Sequence, residues 1–179
     1  MEDYLFAMFL AEDVMKYVLQ KHGIEWEVKH NIRSIYKGKY PEKTVILPLK
    51  KAVIMFIDKK KKHIKDILRD YTKNNSSTVR EFCHYAIEFG SEVFKDGFDP
   101  VNFIKYCAIV AEMAYRLYDH CQDIPEQAVG VIGTVLVSQM MTQQFEESGN
   151  QEGLKKASLK LLKQLKDVKS TVEYATTSV

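Results

Sequence analysis

Ser91-Glu-Val-Phe-Lys-Asp-Gly-Phe-Asp-Pro-Val-Asn-Phe-Ile-Lys-Tyr-Cys-Ala108 joins two apolar helical patterns across a turn at Asp96-Gly97. Asp99 is placed to cap the second helix, because its carboxylate can accept from the free N–H groups of the first turn. Pro100 suits the first helical position, where no N–H is needed. Beyond it Val101, Ile104, Tyr106, Cys107, Ala108, Val110, Ala111, Ala114 and Leu117 make a helix that is apolar around most of its girth. Such a helix is buried, and the rest of the chain is expected to pack around it.

The surrounding sequence has the length and composition for that. At 179 residues the chain is one domain's worth, able to bury a substantial core. Apolar residues make up 46% and charged residues 28%, as in ordinary globular proteins. A net charge of +2 gives no global reason to expect nucleic acid or an anionic membrane as partner. Glycine (8) and proline (4) are sparse, which favours helices over hairpins. Cys83, Cys107 and Cys121 have no C-x-x-C spacing and read as reduced, buried thiols of an intracellular protein. The opening Met1-Glu-Asp-Tyr lacks the basic start of a secretory signal, and no uncharged apolar run reaches a membrane span of about 18 residues.

Working outward towards the N-terminus, Thr78-x-x-Glu81 reads as a capping box for a helix carrying Val79, Phe82, Cys83, Ala86, Phe89, Val93 and Phe94 into the turn. Asn74-Asn-Ser-Ser77 is a loop. Before it, Leu49, Ala52, Val53, Phe56, Ile64, Ile67, Leu68 and Tyr71 predict one long helix or two short ones, opened by Pro48. Residues 27 to 47 read as polar and irregular, with a loop at Lys37-Gly-Lys-Tyr-Pro41. Residues 3 to 21 show helical spacing through Leu5, Phe6, Phe9, Leu10, Val14, Tyr17 and Val18, and Gly23 is the expected C-terminal stop.

Towards the C-terminus, Asp123 and Pro125 start another helix centred on Ala128-Val-Gly-Val-Ile-Gly-Thr-Val-Leu-Val137. This is the most apolar run, and Gly130 and Gly133 in it point to close helix–helix approach. Ser148-Gly-Asn150 is the expected break. Gln151 to about Val172 forms a last amphipathic helix through Leu154, Ala157, Leu161, Leu162, Leu165 and Val168, leaving 173–179 as a polar tail. The expectation is an all-α globule of about seven helices around a central apolar helical hairpin, one domain over 1–172.

No catalytic constellation is legible. His22, His30, His63, His84 and His120 show neither H-x-x-x-H nor H-E-x-x-H spacing, and His120 beside Cys121 has no matching pair for a metal. There is no G-x-G-x-x-G, Walker loop or G-x-S-x-G. Neither enzyme activity, metal nor cofactor is expected. Lys59 to Lys62 read as a charged, solvated helix face, the other reading being a nuclear address or nucleic-acid contact. Glu112 and Arg116, four apart, read as a helical ion pair.

The turn and its surroundings resemble the Bcl-2 family of apoptosis regulators. Glu92-Val-Phe-Lys-Asp-Gly97 is similar to that family's first homology motif, E-L-F-R-D-G, which leads into N-W-G-R and the central helix. Leu10-Ala-Glu-Asp-Val-Met-Lys-Tyr-Val-Leu-Gln-Lys-His-Gly-Ile-Glu-Trp26 resembles its first helix, with the closing glycine and nearby tryptophan. Leu49-Lys-Lys-Ala-Val-Ile-Met-Phe56 has the frame of the third motif, L-x-x-x-G-D-x-F, and Phe145-Glu-Glu-Ser-Gly-Asn150 loosely resembles the second, W-I-x-x-x-G-G-W. Order and spacing agree over residues 5 to about 160. This chain departs from the pattern where Asp99-Pro-Val-Asn102 replaces N-W-G-R, where Val53-Ile54 replaces Gly-Asp, and where the second motif lacks both tryptophans and one glycine.

The resemblance implies a Bcl-2-like bundle that sequesters amphipathic death-motif helices of pro-apoptotic partners in a hydrophobic groove, in a pro-survival role. It implies no nucleic-acid partner, and a location in the cytoplasm or at the mitochondrial outer membrane, with membrane contact through a C-terminal anchor if this chain lacks one. The groove residues it implies are Phe56, Lys59, Ile64, Ile67, Phe89, Val93, Phe94, Asn102 and Ile104, with Asn102 standing where the family's arginine meets a peptide aspartate. Any of the apolar ones serves equally as core, Phe94 above all because it lies one turn from the Gly97 corner. A pore-forming effector, a Bcl-2-like fold used in other signalling, a helical small-ligand or lipid-binding protein, and a plain helical scaffold are the alternatives.

Overall fold

Asp99 opens the helix on which the others converge. The structure, a computed structural model, describes residues 2–29, 43–75 and 77–176, with side chains from 45 onward in the second stretch and as far as 167 in the third. Among the described residues the chain forms eight helices and no strand: α1 (Glu2–Lys21), α2 (Lys43–Lys59), α3 (Lys61–Asn74), α4 (Val79–Val93), α5 (Pro100–Leu117), α6 (Ile124–Met140), α7 (Gln143–Glu147) and α8 (Asn150–Thr176). The Asp99 carboxylate accepts from the Asn102 N–H at 2.7 Å, and Pro100 follows as the first helical residue. Twelve of the eighteen residues of α5 are buried. Because its apolar surface goes almost all the way round, α5 has neighbours on every side: α1, α2, α3, α4, α6 and α8 all touch it. One continuous apolar cluster runs from Phe6 in α1 to Leu165 in α8.

The helix ends follow local chemistry. Gly23 takes a left-handed φ of 77°, so that its own N–H reaches the Gln20 carbonyl and the Ile24 N–H reaches the Leu19 carbonyl, both at 3.0 Å. These two bonds satisfy carbonyls that the end of α1 would leave open. Thr78 caps α4 by accepting from the Glu81 N–H at 3.3 Å. Gly97, with φ of 108°, turns the chain between α4 and α5.

Several expectations are corrected. Pro48 does not open α2 but lies inside it, one and a half turns after Lys43. The lost N–H is outweighed because the preceding turn buries Val45 and Ile46. The apolar stretch after Pro48 is two helices, parted at Lys60. Residues 43–47, expected to be irregular, belong to α2; 30–42, including the expected loop at Lys37 to Pro41, lie outside the described residues, as does the tail after Thr176. Asp123 does not cap α6: its backbone is helical and its carboxylate pairs with the Lys29 ammonium instead. The helix expected to run on to Ser148 stops at Met140, and α7 follows. This turn carries Phe145 into the core, where its ring lies 5.1 Å from that of Phe98. α8 continues to Thr176, past the expected end near Val172.

The two glycines of α6 differ. A Cβ on Gly133 would lie 2.4 Å from the Met8 sulfur and 3.5 Å from the Met8 Cα, so α1 and α6 approach closely at Gly133. A Cβ on Gly130 would meet nothing within 4 Å. Gly153, which the sequence did not single out, is tighter still, because its Cβ would lie 2.1 Å from the backbone oxygen of Ser148. Gly130→Ala is therefore expected to raise stability by about 0.5–1 kcal/mol through the removed backbone freedom. Gly153→Ala is expected to lower it by about 1–3 kcal/mol, since backbone must shift to admit the methyl. Urea midpoints of the two variants moving in the same direction would contradict this packing.

Candidate functional site

A groove of about 240 Å³ opens between α2, α3, α4 and α5, lined by Phe56, His63, Phe89, Val93, Asn102, Lys105, Tyr106 and Ile109. Helical spacing sets two of its walls. Phe89 and Val93 are one turn apart on α4, and Asn102, Lys105, Tyr106 and Ile109 follow the i, i+3, i+4, i+7 stripe of one face of α5. The Tyr106 ring forms part of the floor. It is held by its hydroxyl, which donates to the Ala86 carbonyl at 3.0 Å, and by the ring of Phe89 at 5.9 Å. Gly90 allows this fit, because a Cβ there would stand 3.3 Å from the Tyr106 ring. Burial pushes the Tyr106 phenol pKa up, so the hydroxyl stays a neutral donor.

The polar side of the groove is basic. His63 and Lys105 line it, and none of the eight lining residues is acidic. The Lys105 ammonium lies 3.5 Å from the Asn102 side-chain oxygen, while the Asn102 backbone N–H is taken by Asp99. A positive charge thus stands one turn beyond the position where the resemblance places arginine.

Phe56, Phe89, Val93 and Asn102 are the expected site residues that meet in the groove. Ile104 is a correction: it is fully buried, because two residues along a helix rotate a side chain by about 200° away from Asn102, into the core. Phe94 is also core, its ring 5.9 Å from those of both Phe98 and Tyr106. Ile64 is buried in a neighbouring notch with Ile57, Leu68, Glu112 and Arg116. This notch continues the same stripe, since Glu112 and Arg116 come seven residues after Lys105 and Ile109. Lys59 and Ile67 are half-buried and do not line the groove. His63, Tyr106 and Ile109 are groove residues the sequence reading missed; the last two were legible as the stripe through Asn102. Comparison with family models, curated proteins and solved structures yields no match.

Two further polar groupings flank the groove elements. The expected Glu112–Arg116 pair forms, with the guanidinium Nε 3.0 Å from one carboxylate oxygen. The other oxygen lies 3.0 Å from His22 Nε2, and the His22 ring stacks on Tyr115 with centroids 3.5 Å apart. Glu112 is only 2% exposed, so this is a buried carboxylate tying the end of α1 to α5 rather than a surface pair. Near Trp26, an open cavity of about 470 Å³ is lined by Lys16, Gln20, Ile24, Glu25 and Glu27. Its one cation is committed: Lys16 contacts Glu27 at 2.6 Å and Glu12 at 2.9 Å. Burial lowers the Lys16 pKa, but the two carboxylates outweigh it and the net shift is upward.

Proposed function

We propose that the chain is a Bcl-2-like, pro-survival regulator of apoptosis that sequesters amphipathic death-motif helices in the α2–α5 groove, acting in the cytoplasm or at the mitochondrial outer membrane. The observation that carries the reading is the convergence of Phe56, Phe89, Val93 and Asn102 on one groove with a basic edge. An amphipathic helix presents apolar anchors one turn apart, which matches the spacing of Phe89 and Val93, and an acidic residue beside them would meet Lys105. At about 240 Å³ the groove falls below the roughly 300–1,000 Å³ of small-molecule pockets, which favours side chains of a partner over a compact ligand. The pro-survival role is preferred over the effector because an effector must offer its own third motif to a partner. Here that motif carries Val53, fully buried, and Ile54 in place of Gly-Asp. No helix among the described residues is long and apolar enough to cross a membrane.

Fluorescence polarisation with a panel of death-motif peptides tests the reading, the expected result being sub-micromolar binding of at least one. Lys105→Gln is expected to weaken an aspartate-bearing peptide about three- to tenfold at low salt and much less at high salt, as loss of a partly exposed ion pair would. Flat titrations across the panel would remove the proposal. Binding that ignores both salt and Lys105 would place the acidic contact elsewhere.

A further inference from the structure

The corner between α2 and α3 carries a charge that the fold does not neutralise. Lys59, Lys60, Lys61, Lys62 and Lys65 crowd into one short stretch; the first is half-buried and the other four are exposed. None of them enters an ion pair or a hydrogen bond through its side chain among the described residues. The two acids that flank the run are engaged elsewhere: Asp58 pairs with Lys21, and Asp66 lies 3.2 Å from Arg69. α3 begins inside the run with no side-chain cap and no acidic residue in its first turn. The partial positive charge of its N-terminus therefore adds to that of the lysines. Lys61 and Lys65 also line the shallow notch between α3 and α5, where Arg116 is already paired with Glu112. The carboxylate there, Glu112, already has both oxygens occupied by Arg116 and His22.

We propose that this corner docks on the headgroups of an anionic lipid bilayer. Short clusters of four to eight basic residues are the feature that anionic leaflets attract. The composition of the run favours lipid over nucleic acid. Apart from His63, which lines the groove, its polar side chains are lysines, hydrated point charges suited to a smeared layer of phosphates, and it has no arginine, phenylalanine, tyrosine or tryptophan for reading or stacking on bases. Docking is electrostatic and without insertion, because the apolar residues beside the lysines are used by the fold: Ile57 and Ile64 are buried, and Ile67 and Leu68 are half-buried against the core. Binding is consequently reversible and collapses as salt shortens the screening length. The inference does not depend on what the groove binds.

Co-sedimentation with vesicles tests it, using phosphatidylcholine alone or mixed with phosphatidylserine, each at low and at high salt. The expected result is binding to the mixed vesicles at low salt only. Each lysine near such a surface is worth about fivefold in affinity, so the fourfold variant Lys60→Glu, Lys61→Glu, Lys62→Glu, Lys65→Glu is expected to lose at least about a hundredfold. Three of its acids fall at the cap position and first turn of α3, where they favour the helix, so its thermal melt should stay close to that of the parent chain. The neutral Lys→Gln set at the same positions should fall between the two in affinity. Equal binding to both vesicle types, unchanged binding by the Glu variant, or no binding at all would overturn the proposal. Tighter binding to a duplex oligonucleotide than to mixed vesicles at equal phosphate concentration would overturn it in favour of nucleic acid.

Discussion

Val93→Asp is expected to abolish death-motif peptide binding, by more than about a hundredfold, while the far-ultraviolet circular dichroism of the variant stays that of the parent chain. Two effects combine. A valine that is already half-buried contributes about 1 kcal/mol more when a peptide covers it. A carboxylate in its place must also be desolvated when a peptide helix closes over it, which opposes binding further. Folding is touched much less. Val93 is the last residue of α4 and half-buried at the groove wall, so without peptide the carboxylate keeps water. Its cost there is the unfavourable placement of an anion at a helix C-terminus, about 0.3–1 kcal/mol. Val93→Ala, which removes two methyls and adds no charge, should weaken binding by only about three- to tenfold. If Val93→Asp unfolds the protein, Val93 belongs to the core; if it binds as before, the peptide lies elsewhere.

The second large effect is alkaline unfolding. Burial raises the thiol of Cys107 and the phenol of Tyr106, each from ordinary values of 9.0 and 10.0, and raises Tyr71 to about 12. It also raises Cys83 and Tyr85. In every case the fold favours the neutral form. The unfolded chain therefore ionises first, and the stability these groups contribute is complete below about pH 9 and lost as pH rises through the folded values. Each group that must stay neutral costs about 1.4 kcal/mol per pH unit. With several acting together, the chain is expected to lose a large part of an ordinary domain's stability, about 5–15 kcal/mol, before about pH 12. Urea midpoints should be level from neutrality to about pH 9 and fall steeply after it. Replacing both Cys83 and Cys107 by alanine should delay the onset by about one pH unit, to where the tyrosines begin. A midpoint that holds or rises between about pH 9 and 12 would show that these side chains reach water.

What could be read from the sequence depended on whether a signal was local. The cap at Asp99, the capping hydroxyl of Thr78 and the stop at Gly23 are fixed by neighbours within a few residues, and they form where expected. Pro48 and Asp123 carry equally strong local signals that are overruled from a distance. Burial of Val45 and Ile46 extends α2 back past the proline, and Lys29 takes the Asp123 carboxylate. The end of α6 was out of reach for the same reason, because it depends on Phe145 finding Phe98. At the groove, residue type misled and angle would not have. Ile104 is apolar and close to Asn102 in sequence, yet the face is set by rotation, which selects Lys105, Tyr106 and Ile109. The pairing of α3 with α5, which brings His63 to one end and Ile64 into the next notch, has no periodic signature at all.

The two close approaches at Gly133 and Gly153 imply different freedoms for sequence drift. What stands against Gly133 is chiefly the sulfur of Met8, on an unbranched side chain with three rotatable bonds. A methyl at 133 can be absorbed by a shorter or differently turned residue at 8, so these two positions, on helices from opposite ends of the chain, should co-vary and show positive epistasis in a pairwise mutational scan. What stands against Gly153 is the peptide oxygen of Ser148, which every amino acid carries. No partner substitution can make room there, and position 153 is expected to remain glycine whatever happens around it.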